Sequence, residues 1–174
     1  MLMPKSQQPL PDDTTPDADA ESVVRNLVLR RLTQRAYTRH QLEEYLQRKG
    51  ADTDVVAKVL DRFAEVGLIN DREFAAEFIR ARRSIKGTGP AVLRMELKKR
   101  GIADDLIAAE LDLRVGDDVD VARDIAQRKL ASLSRFDADT QNRRLVSFLV
   151  RRGYSAHIAY GVARELVPAF RAEH

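Results

Sequence analysis

The sequence predicts an all-α fold of three tandem three-helix units, helix-turn-helix-like in size, and three observations lead there. The first is a recurring stretch: LEEYLQRKG at 42–50, LRMELKKRG at 93–101 and LVSFLVRRG at 145–153. Each runs Leu-x-x-x-Leu and closes on two basic residues and a glycine, and Gly50, Gly101 and Gly153 stand 51 and then 52 residues apart. The second is an apolar register around those glycines. Val55, Leu106 and Ile158 follow by five residues, and Leu60, Leu111 and Ala163 by ten; Leu27, Phe78 and Leu130 precede by twenty-three, and Val23, Phe74 and Ala126 by twenty-seven. The third is the placing of proline: Pro4, Pro9, Pro11 and Pro16 come early and only Pro90 and Pro168 lie in the body, so little there breaks a long helix.

Taken in order, each unit reads helix–helix–helix. The first helices carry the i,i+4 pairs Val23/Leu27, Phe74/Phe78 and Ala126/Leu130, and the second helices carry Leu42/Leu46, Leu93/Leu97 and Leu145/Leu149, one buried stripe each. A glycine then ends the second helix, because it takes the left-handed conformation at little cost. DTDVVAKVLDRF, ADDLIAAELDL and SAHIAYGVAREL supply the third helices. Thr38 with Gln41 and Asn70 with Glu73 have the spacing of capping boxes, Ser155 is placed as an N-cap, and Pro90 suits a first helical turn. The segment LSRFDADTQ at 133–141 is longer and more polar than its counterparts and predicts a looser attachment of the third unit to the second. The expected division is an acidic disordered tail at 1–20, then three-helix repeats at 21–68, 69–115 and 116–174 forming an elongated, curved array.

Composition narrows the function classes. The chain has 174 residues, 44% hydrophobic and 33% charged, enough for a few small stacked units with a heavily charged surface. It has no cysteine, which excludes a disulfide framework and any thiolate-held metal. No apolar run approaches the ~20 residues that span a bilayer, and MLMPKSQQPLPDD has no apolar signal core. The expectation is a soluble cytoplasmic protein. Net charge is +3, unevenly spread: Lys5 against Asp12, Asp13, Asp17 and Asp19 leaves residues 1–20 at −3 and the remainder at +6. An acidic tail of that composition is expected to be disordered, and a basic body suits a nucleic-acid or acidic-protein partner.

The basic pairs Arg48/Lys49, Lys99/Arg100 and Arg151/Arg152 fall at equivalent places in the three units. Stacked regularly, they form a periodic basic track, thickened by Lys98 and by Arg39, Arg94, Arg143 and Arg144 on the same second helices. A periodic track suits a nucleic-acid backbone or a protein filament. A second reading stays open: cations in a helix's last turn stabilise its dipole by roughly 0.3–1 kcal/mol and need no partner. Arg80, Arg82, Arg83 and Lys86 make a further cluster running into KGTGP, with a solvated helix face as its alternative.

The sequence offers no reaction centre. KGTG at 86–89 lacks the spacing of a phosphate loop, and its glycines read as a turn. His40, His157 and His174 are scattered, Asp104/Asp105 and Asp117/Asp118/Asp120 suit helix starts, and Ser84 and Ser147 have no base nearby. No cofactor is called for.

The densest stretch, GLINDREFAAEFIRARRSIKGTGPAVLRMELKKRGI at 67–102, resembles the RecX family, regulators of the RecA recombinase. The family pattern is carried by Gly67, Leu68, Ile69, Asn70, Asp71, Phe74 and Ala75, then Arg82, Lys86, Gly87, Gly89 and Pro90, then Leu97, Gly101 and Ile102. Residues 22–66 and Arg151–Tyr154 match more loosely, and the whole likeness spans roughly 22–167. Asn70 stands where the family has an acidic residue; as an N-cap it substitutes well. The resemblance implies three tandem three-helix repeats. It also implies a non-enzymatic modulator that binds the RecA filament on single-stranded DNA, mostly inhibits it, and lowers ATP hydrolysis, strand exchange and co-protease activity. The setting it implies is homologous recombination, DNA repair and the SOS response. The chain is expected to act as a monomer. No motif of the family marks the contact residues, so those expected to meet filament or DNA come from the charge pattern: Arg48, Lys49, Arg82, Arg83, Lys86, Arg94, Lys98, Lys99, Arg100, Arg151 and Arg152. A stand-alone basic DNA-binding protein and a solenoid-like adaptor for another protein are the alternatives.

Overall fold

The computed structural model describes residues 16–167, and all regular structure in them is helical. The first repeat holds α1 (Pro16–Leu32), α2 (Arg39–Arg48) and α3 (Thr53–Glu65). The second holds α4 (Asp71–Lys86), α5 (Pro90–Lys98) and α6 (Asp104–Asp112). A short 3₁₀ turn at Val115–Asp117 leads to the third, with α7 (Asp118–Ala131), α8 (Ala138–Arg151) and α9 (Ala156–Leu166). Of the acidic tail expected at 1–20, residues 16–20 open α1, and 1–15 lie outside the described residues.

The predicted stripe forms the cores. Leu42, Leu46, Leu93, Leu97, Leu145 and Leu149 are all fully buried, each such burial stabilising by about 1.5–3 kcal/mol. In the second repeat the core adds Ala75, Ile79, Ile102, Ile107 and Leu111; in the third it adds Ala122, Ala126, Leu133, Tyr154, Ala159, Val162 and Ala163. The first helices correct the register. Val23 is 60% exposed, and Val24 and Val28 are buried in its place, as are Ala75 and Ile79. Those pairs stand 26 and 22 residues before the glycine, not 27 and 23. In the third repeat Ala126, 27 residues before its glycine, is itself buried.

The helix ends follow the capping chemistry. Thr38 and Gln41 close a reciprocal box, Gln41 N donating to Thr38 Oγ1 at 3.2 Å and Thr38 N to Gln41 Oε1 at 3.3 Å. Asn70 accepts from Glu73 N at 3.1 Å, and Ser155 from Ile158 N at 3.3 Å. Pro90 takes the first turn of α5.

The described residues form two compact units. One comprises residues 16–36 with 42–69; the other comprises 37–41 with 70–167, so the second and third repeats share one body. In the first unit α1 packs on α3, and Glu21 is ion-paired with Lys58.

The second unit overturns the expected loose third repeat. The 133–141 segment joins α7 to α8 within that repeat and is itself ordered: Asp137 caps α8 by accepting from Thr140 N at 2.8 Å, and the Gln141 amide donates to Phe136 O at 2.8 Å. The seam between the two repeats is main chain on main chain. Gly89 N donates to Arg152 O at 2.7 Å and Ala91 N to Gly153 O at 3.0 Å. A Cβ on Gly89 would stand 2.6 Å from the Gly153 carbonyl carbon, so only glycine permits the approach. The Tyr154 hydroxyl, pushed up to about 12 by burial, stays protonated and donates to Gly87 O at 3.2 Å.

Candidate functional site

The expected contact residues sort by what holds them. Arg83 leaves the set. It is buried between α4 and the start of α7, ion-paired with Asp118 and donating from Nη1 to Arg114 O at 3.1 Å. Neither a solvated face nor a contact surface describes it: its task is to tie repeat two to repeat three. Burial raises the Asp118 carboxyl above its usual range, while the neighbouring guanidinium pulls the other way.

Three more are partly engaged. Arg82 Nη2 donates to Glu96 Oε1 at 3.0 Å, with its guanidinium 5.2 Å from the Phe78 ring centre. Arg100 covers the same ring at 4.3 Å and donates to Glu96 O at 2.6 Å. Arg152 covers Phe148 at 5.1 Å and donates to Lys86 O. In each pair that lies in the second unit, then, the residue next to the glycine covers a ring of its own repeat, and Arg152 also reaches the second repeat. Lys98 is exposed and ion-paired with Asp104 at 2.9 Å.

The remaining six point outward. Arg48, Lys49, Lys86, Arg94, Lys99 and Arg151 are exposed, and among the described residues none is in an ion pair. Arg48 and Lys49 lie in the first unit, the others in the second.

The third repeat carries a wider basic face than the pair beside its glycine. Two open clefts flank α8. One, of about 730 Å³, lies toward α9 and is lined by Asn142, Arg143, Ser147, Tyr160 and Arg164, with Asp139 at the α8 end. The other, of about 450 Å³, lies toward α7 and is lined by Lys129, Arg143, Arg144, Ser147 and Arg151. Arg143 and Ser147 line both. The spacing was legible: Arg143, Ser147 and Arg151 are four residues apart, as are Tyr160 and Arg164, so each set shares a helix face.

No three His, Asp or Glu side chains among the described residues are grouped to hold a metal, and no helix there is long and apolar enough to cross a membrane. The fold and its surface define a class: a tandem three-helix repeat protein presenting cations from helix ends and open clefts. The matching family models are those of the RecX first three-helix domain at residues 25–63, the second at 70–111 and the third at 116–162. The Regulatory protein RecX of Mycolicibacterium smegmatis is 41% identical over 148 residues, covering 82% of this chain and 78% of that one. The Regulatory protein RecX of Thermobifida fusca is 35% identical over 160 residues, covering 91% and 86%. The crystal structure of RecX from Lactobacillus salivarius superposes with a TM-score of 0.81 at 24% identity, over 86% of this chain and 97% of that one, a likeness of fold. The chain belongs to the RecX family.

Proposed function

We propose that this chain modulates the RecA recombinase without being an enzyme: it binds the RecA filament on single-stranded DNA, in the filament groove, and mostly inhibits it. ATP hydrolysis, strand exchange and co-protease activity fall when it is bound. It works in the cytoplasm as a monomer, with no cofactor. The observation that carries this reading is the recurrence, once per repeat, of a helix end with at least one exposed cation: Arg48 and Lys49, then Lys99, then Arg151. A partner that repeats along its length meets a chain that repeats along its own, and weak contacts then add as avidity. Membership in a family of proteins named as regulators supports the same reading.

The test is ATP hydrolysis by RecA on single-stranded DNA at stoichiometric amounts of this chain. A clear fall in rate is expected. An unchanged rate with unchanged filament length contradicts the proposal.

A further inference from the structure

We infer that the third repeat carries its own single-strand nucleic-acid site, in which Tyr160 stacks on a base and the cations of the α7–α8 cleft hold the adjoining phosphates. The inference rests on the filament reading above for its setting and on the following geometry for its content.

The first observation is one ring. Among the described residues Tyr160 is the only exposed Phe or Tyr, at 57%. Several of the others are covered: guanidinium groups lie over Tyr45, Phe78, Phe136 and Phe148. Tyr160 instead faces the α8–α9 cleft beside Arg143 and Arg164. A flat exposed ring beside cations is the arrangement by which proteins take single strands, since every base has a face to stack and a strand has charge to follow.

The second observation is unneutralised charge. Several arginines elsewhere in the second unit are in ion pairs: Arg80 with Glu77, Arg82 with Glu96, Arg83 with Asp118, Arg123 with Glu165, Arg128 with Asp124. Lys129, Arg143, Arg144, Arg151 and Arg164, which line the two clefts, make no ion pair among the described residues. Arg143 donates only to the Thr140 hydroxyl, at 3.3 Å.

The two clefts divide the work. Asp139 borders the α8–α9 cleft and would repel a phosphate there, but it can accept from a base edge, and the Asn142 amide can accept or donate. No carboxylate lines the α7–α8 cleft, which therefore suits phosphate. Arg143 and Ser147 line both, so a strand crosses α8 without leaving the basic surface. A duplex is a poor occupant, because its bases are stacked on each other and unavailable to the ring. An acidic protein would use the cations and leave the ring idle.

The probe is a short fluorescein-labelled oligo(dT), followed by anisotropy with the full chain at low salt. Tyr160→Ala is expected to weaken binding about 5- to 150-fold, the worth of one stacked base, and Tyr160→Phe to bind as the parent does. The chain has no tryptophan, so Tyr160→Trp places a single indole at the site; oligo(dT) is expected to quench it. Lys129→Ala with Arg151→Ala is expected to flatten the log–log salt slope by about 1.4, roughly 0.7 for each phosphate contact. Parental affinity in Tyr160→Ala, no quenching while anisotropy saturates, or equal displacement by an acidic peptide or a duplex would overturn the inference. ATP hydrolysis by RecA separates this from the wider reading. If the parent and Tyr160→Ala slow hydrolysis alike and bind oligo(dT) alike, this site is wrong and the regulator stands. If the parent leaves hydrolysis untouched but binding depends on Tyr160, the regulator falls and the site stands.

Discussion

Gly50 and Gly153 close the same signature, two basic residues and a glycine, and the chain uses them differently. Gly50 has φ +76° and open space where a Cβ would point. Gly153 has φ +95°, and a Cβ there would stand 2.7 Å from Val92 N. The first glycine ends a helix; the second ends a helix and receives the backbone of the preceding repeat. The basic residues divide likewise. Arg48 and Lys49 are exposed, whereas Arg152 folds onto Phe148 and Lys86 O. Gly101 resembles Gly153: the 37–41 segment packs against it in the second unit, with His40 at the glycine and Thr38 Oγ1 donating to Arg100 O at 2.6 Å. A repeated motif thus separates into a shared helix stop and a seat that needs a neighbour.

The largest effect expected from breaking the seam is at its buried ion pair. Arg83→Ala leaves Asp118 buried and unpartnered and should cost about 3–5 kcal/mol in urea unfolding. Arg80→Ala, whose pair with Glu77 is exposed, should cost at most about 1 kcal/mol. Equal losses would deny Arg83 its structural place.

Next come the glycines themselves. Gly50→Ala should cost only the left-handed penalty of about 1–2 kcal/mol. Gly153→Ala should cost about 1–3 kcal/mol more, because the added methyl meets main chain. Matching losses in denaturant midpoint and slope would erase the contrast between the two turns.

How far these differences were legible depends on their range along the chain. The leucine stripe, the Thr38, Asn70 and Ser155 caps and Pro90 are set by residues within four positions of one another, and each formed as the spacing predicts. The register of α1 misled because VVRNLVL offers two i,i+4 apolar pairs, Val23/Leu27 and Val24/Val28, and only packing on α3 chooses. Arg83 was hidden because Asp118 lies 35 residues on, and a long-range ion pair leaves no local pattern. The second role of Gly153 was hidden for the same reason: it exists only beside Gly89 and Val92. The α8–α9 cleft brings together two helix faces that were each readable alone.

A smaller effect is expected in the 133–141 segment. The Thr140 backbone N–H, helped by its hydroxyl, holds the Asp137 carboxyl below its ordinary 3.8. A carboxyl lowered on folding stabilises the fold above the ordinary value, and that contribution disappears as pH falls through the folded one. An NMR titration should find Asp137 below 3.8; a value at or above it would mean the cap does not form in solution.

On the proposed function, the exposed cations beside the three glycines serve a partner, and the folded-back Arg100 and Arg152 serve the fold. Charge reversal in the first repeat, Arg48→Glu with Lys49→Glu, tests it in one assay: RecA ATP hydrolysis on single-stranded DNA, with the melting temperature measured alongside. Weakened inhibition at an unchanged melting temperature is the expected result. Inhibition equal to that of the parent chain would contradict it and leave those two cations as helix-end charges alone.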